Sequence, residues 1–107
     1  MEKWNNKKTE ELFKTILGLS SINDAKIFFR DLLTEKEIME FANRWEAAKM
    51  LSSKIPYAEI SESTGLSSKT VARISKWLNS GMGGYKKMIK KTARHHKQQF
   101  SLEKGLR

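Results

Sequence analysis

Ser67, Ser68, Lys69, Thr70, Arg73 and Lys76 crowd hydrogen-bond donors and fixed cations into one short stretch of a 107-residue chain. Lysine and arginine donate to phosphate oxygens and to the O6 and N7 acceptors of guanine, and serine and threonine hydroxyls can serve either partner. That is the chemistry of recognition rather than of bond making. Tyr57 and Ser61, a few residues earlier, add hydroxyls within reach of phosphates, and the amides of a helix opening at Ser67 add donors of fixed direction. Lys69 is the best placed of the set for guanine.

Bond-making constellations find no support in residue type or spacing. With zero cysteines there is neither a disulfide framework nor a thiolate metal site. His95 and His96 are adjacent, so a helix points them in different directions, and neither has a partner at the spacing of a metal pair. Glu35, Glu37 and Glu40 cluster where a helix begins, a position that favours negative charge on its own account. No glycine-rich phosphate loop or nucleophile elbow is present. The expectation is a non-enzyme with no metal and no cofactor.

Two short helices hinged at a glycine must carry the recognition residues. Pro56 suits the first position of a helix over about 57–64, and Gly65 supplies the left-handed conformation that a sharp helix end requires. Ser67 is placed as N-cap of the next helix, its hydroxyl accepting from an amide near Thr70. Ile60, Leu66, Val71 and Ile74, with Ala58, can seal one helix against the other, and Leu78 extends the inner stripe. Ser68, Lys69, Arg73 and Lys76 are left outside. This is the pattern of a helix-turn-helix over about 57–78, a motif that inserts its second helix into the major groove of DNA. An ordinary helical hairpin with lysines on its wet face, or a helix-turn-helix that binds only protein, fits the same spacing.

The remaining chain predicts an all-α scaffold of about six helices in total. Leu12, Phe13, Ile16, Leu17 and Leu19 form a stripe ending over 18–21, with Trp4 as an extension. Ile22, Ala25, Ile27, Phe28, Phe29, Leu32 and Leu33 form the second, capped near Asn23 or Asp24. Thr34 and Glu37 make a capping box that opens a third helix running to about Ser53, with Ile38, Phe41, Ala42, Trp45, Ala48 and Leu51 on its apolar side. Asn79 to Gly84 breaks the chain before a last helix near Tyr85, with Met88, Ile89 and Ala93 inward.

Charge is concentrated at one end. Residues 86–107 carry eight Lys or Arg against one Glu, most of a formal net charge of +9. Lys86, Lys87, Lys90, Lys91, Arg94 and Lys97 either neutralise phosphates without reading sequence or form a solvated helix end. Residues 101–107 have little pattern and are expected to be a flexible basic tail after a single domain over 1–100. No apolar run is long enough for a membrane span and no secretion signal follows the first charges, so a cytoplasmic protein is expected. A chain this small gains stability from association, which favours a dimer.

From about Leu12 to Ile89 the chain resembles the tryptophan-repressor superfamily, and more closely its YerC/YecD-type branch. The resemblance is carried by Leu33–Ile38, by Asn43-Arg44-Trp45-Glu46, by Thr64–Thr70, by Arg73 and by Leu78–Gly81. It implies an intertwined, all-helical homodimer whose reading heads bind double-stranded DNA, a transcriptional regulator and most often a repressor. It also implies a corepressor pocket flanked by the positions of Thr34, Arg44 and Arg73. Two departures fall there: Ile74 stands where the repressors have a small glycine, and Trp77 where they have a serine. Both crowd the slot an indole needs, so the expectation is a regulator not gated by tryptophan. Gating by a small-molecule corepressor, and a nonspecific nucleic-acid or protein-interaction module, are the alternatives.

Overall fold

Side chains at the helix starts decide where most of the elements begin. The computed structural model describes residues 2–105, with side chains through Arg94. In order the helices are α1 (Lys7–Leu17), α2 (Ile22–Leu32), α3 (Glu35–Ser52), α4 (Tyr57–Thr64), α5 (Ser68–Ser80) and α6 (Gly84–Gly105). Among the described residues there is no strand. Asn6 caps α1, its side chain and that of Thr9 each accepting from the other's amide, so Trp4 lies before the helix rather than extending it. Ser21, not Asn23 or Asp24, caps α2: its hydroxyl accepts from the Asp24 amide at 3.0 Å.

At α3 the capping box is reciprocal. Thr34 N donates to Glu37 Oε1 at 2.9 Å, and Glu37 N donates to Thr34 Oγ1 at 3.1 Å. The bond from the Thr34 amide, and secondarily one to its hydroxyl, holds the Glu37 carboxyl below its ordinary 4.5. Two orphan donors at the helix start are thereby satisfied by short-range sequence alone.

The chain divides into two compact units, Met1–Met39 and Glu40–Arg107. In the first, α1 and α2 contain no buried residue. Leu17 is 84% exposed and Ile22 77%, although both helices are amphipathic and Phe28 and Phe29 meet edge to face at 5.7 Å. Two short helices have too little surface to enclose an interior of their own.

The second unit holds the core. Ala47 and Ala48 of α3, Ile60 of α4, and Val71 and Ile74 of α5 are all fully buried, and Leu78 nearly so. The alanines add little bulk on α3, and Trp45, Met50, Leu51, Ile55, Leu66, Tyr85 and Ile89 pack around the rim of this cluster. Ala58 is exposed rather than inward. On α4 the inward positions are Ile60 and Thr64, one turn apart, and a residue two before Ile60 falls on the far side.

The link from α3 to α4 turns at Lys54, whose φ of 61° is left-handed. Lys54 N donates to Leu51 O at 3.0 Å and Ile55 N to Met50 O at 3.1 Å, the paired bonds that close a helix end. α6 continues past Ser101 to Gly105, so the expected tail begins inside a helix. The expectations for the side chains of His95, His96 and Lys97 lie outside the described residues. Among those described, no helix is long and apolar enough to cross a membrane.

Candidate nucleic-acid interface

Gly65 sets the angle between α4 and α5. Its φ is 75°, and its amide donates to Ser61 O at 2.8 Å, closing α4. Thr64 finishes the corner. Its buried hydroxyl donates to Ile60 O at 2.7 Å and accepts from Leu66 N at 3.2 Å, tying the last turn of α4 to the residue that leaves it. The sequence reading gave Thr64 no such role. The signal available was a hydroxyl residue immediately before the glycine, where it can bond locally to backbone.

Ser67 caps α5 as expected. Its hydroxyl accepts from Thr70 N at 3.2 Å and donates to Thr70 Oγ1 at 3.1 Å. Both hydroxyls are therefore engaged in building the helix start, and Thr70 is half buried. The opening of α5 contains no acidic residue, so its positive end is unneutralised by side chains of its first turn.

Along α5 two faces separate cleanly. Val71, Ile74 and Leu78 face the core, while Lys69, Arg73 and Lys76, at i, i+4 and i+7, occupy the opposite side and are exposed. Ser68 lies beside them, also exposed. Among the described residues none of the three cations enters an ion pair. The result is a helix whose inner stripe fixes it and whose outer stripe presents three free charges at one-turn intervals.

The α4 candidates divide. Tyr57 is 44% exposed at the helix start, available to a partner. Ser61 is half buried, and its hydroxyl is shut off from solvent with no hydrogen-bond partner among the described residues. It faces inward rather than toward a phosphate.

Residues of the expected ligand pocket are each otherwise occupied or open. Thr34 serves the α3 capping box. Arg44 is held by Glu40 at 3.1 Å, while its Nε is buried with no partner among the described residues. The neighbouring Glu46 pairs with Lys49 at 2.9 Å. Arg73 stands on the exposed face. Ile74 is wholly within the core. Trp77, 43% exposed, lines an apolar groove of about 600 Å³ with Trp45, Gly81, Met82, Gly84, Tyr85 and Met88. Trp45 stacks on Tyr85 with ring centroids 6.4 Å apart. Among the described residues no group of His, Cys, Asp or Glu converges as a metal site.

Comparison with known proteins agrees with the all-helical fold. The family model described as Trp repressor protein matches residues 7–93. The protein YerC of Bacillus subtilis is 36% identical over 85 residues, covering 79% of this chain and 82% of the relative. The crystal structure of a TrpR-like protein from Eubacterium eligens superposes with a TM-score of 0.82 at 36% identity, covering 85% of this chain and 94% of that one.

Proposed function

Because the chain belongs to the Trp repressor family, we propose that it is a cytoplasmic, sequence-specific DNA-binding regulator that represses transcription as a homodimer without gating by tryptophan. The observation that carries this reading is the outer stripe of α5: Lys69, Arg73 and Lys76 exposed and without an ion pair among the described residues, on a helix locked from behind by Val71, Ile74 and Leu78. A helix held so rigidly can keep its side chains in register with base edges and phosphates. Lys69 reads guanine; Ser68, Arg73 and Lys76 approach bases or backbone; Tyr57 and the amides after Ser67 hold phosphates. Ser67 and Thr70 contribute by shaping the helix start.

Dimer formation is supported by α1 and α2, which are amphipathic yet contain no fully buried residue. A two-fold dimer would set its reading helices about 34 Å apart and favour a palindrome with half-sites one turn apart. Independence from tryptophan is supported by Ile74 filling the core beneath Arg73 and by Trp77 occupying helix surface that a ligand would need.

Selection of duplexes from a random pool, followed by anisotropy titration without added ligand, tests the whole reading. Enrichment of a palindrome bound more tightly than random duplex at the same salt is expected; equal affinity for both overturns it. One observation favours a ligand-gated regulator instead: the buried Nε of Arg44, without a partner among the described residues, a donor suited to a carboxylate. Calorimetry with free tryptophan separates the two, and heat of binding together with ligand-dependent DNA affinity would select the gated form.

A further inference from the structure

α6 carries a second cationic surface that the reading helix does not account for. Its inner side is fixed by Tyr85 and Ile89, one turn apart, which pack on the core formed by α3, α4 and α5. A helix pinned on that side turns Lys87, Lys90, Lys91 and Arg94 away from it, at i, i+3, i+4 and i+7. All four are exposed. No Asp or Glu occurs between residue 63 and residue 102, and among the described residues none of the four enters an ion pair. Like charges one turn apart destabilise a helix, so this face is relieved by counter-charge brought from outside.

Resting on the regulator reading above, we infer that this face of α6 is a phosphate-contact surface for the same DNA duplex that α5 reads, adding affinity blind to sequence. α5 and α6 pack against each other within one unit, so the stripe holds a fixed position relative to the reading helix. Lys87 to Arg94 spans about 10 Å of helix axis, a length over which one strand of duplex presents about three phosphates. Chemistry favours duplex over other anionic partners. A helix lying on a membrane needs a wide free apolar face; here Tyr85 and Ile89 pack on the core, and among the large apolar residues of α6 with described side chains only Met88 is exposed. Single-stranded nucleic acid is gripped by aromatics among the cations, and the stripe contains none.

The test compares the full chain with the variant Lys87→Gln, Lys90→Gln, Lys91→Gln, Arg94→Gln, whose four sites are exposed and accept a good helix former. Anisotropy titrations on the selected duplex and on a random duplex are run over a series of salt concentrations. The expected result is a slope of log affinity against log salt flattened by about 2 to 3 per chain. At about 0.1 M salt this is a loss on the order of 50-fold or more, equal for both duplexes, with their affinity ratio unchanged. An unchanged slope and affinity overturn the α6 surface while leaving the α5 reading in place. A wild-type protein with no preference between duplexes, whose binding is nonetheless lost in the variant, keeps the α6 surface and overturns the α5 reading. No binding to any duplex overturns both. Tighter binding to single-stranded RNA or to phosphatidylserine vesicles at the same salt, lost in the variant, overturns duplex DNA as the occupant.

Discussion

Lys69 and Lys76 share one exposed face of α5, and single substitutions tell base reading from phosphate contact. Lys69→Ala is expected to lose roughly 1 to 3 kcal/mol on the selected duplex and to relax preference at one base pair. Lys76→Ala should weaken every duplex alike if Lys76 meets backbone, and the selected duplex more than the random one if it meets a base. Equal losses on selected and random duplexes would move Lys69 to the phosphates. Glu37 offers a measurement unrelated to DNA. Its carboxyl is held below 4.5 by Thr34, so its contribution is present above that value and is lost as pH falls through the lower folded value. Glu37→Gln should flatten the decline of melting temperature in that acid window, and an unchanged decline would refute the assignment. Residue types announced the outer stripe because charge and helical spacing suffice to define it. They did not announce that Ser61 turns inward or that Thr64 bridges the corner, because a small hydroxyl serves backbone, core or ligand with equal ease.

At the scale of elements, two residues in the same left-handed conformation predict opposite signs. Gly65→Ala adds a methyl that meets nothing within 4 Å, so its cost is conformational alone, about 1 to 2 kcal/mol. Lys54 already bears that cost at φ 61°, and Lys54→Gly should recover roughly 0.5 to 1 kcal/mol. Urea midpoints at constant slope measure both, and a destabilised Lys54→Gly would contradict the argument. Six helices, the α3 capping box and the Ser67 cap were legible because each has a local signature: apolar period, a hydroxyl followed by an acid, a glycine at the hinge. The α2 start was misplaced because Ser21, Asn23 and Asp24 are all competent caps and only the geometry chooses among them. The Lys54 turn was silent because it lacks the glycine that usually marks it.

For the molecule as a whole, the proposed dimer rests on the exposed stripes of α1 and α2. Sedimentation should give twice the 12.4 kDa chain mass, and Phe13→Glu with Ile27→Glu, both sites exposed in the single chain, should shift it to one. A wild-type protein sedimenting as lone chains would overturn the dimer. An apolar period alone does not say what covers a stripe, since it looks the same whether its own chain or another lies on it. The core of the second unit was partly legible for the same reason in reverse. Ile60, Val71 and Ile74 were expected to meet each other, whereas Ala47 went unnoticed because alanine marks an interior only once a neighbour is seen to approach it.

The contrast between a second unit with its own interior and a first unit without one would be written into deuterium uptake. Backbone amides of α5 would exchange only through openings that breach Ile60, Val71 and Ile74, independent of how dilute the sample is. Those of α1 and α2 would be protected only while a neighbouring polypeptide shelters them, so their labelling rate would climb on dilution. Within one polypeptide, the larger unit would then report its own folding and the smaller one the company it keeps.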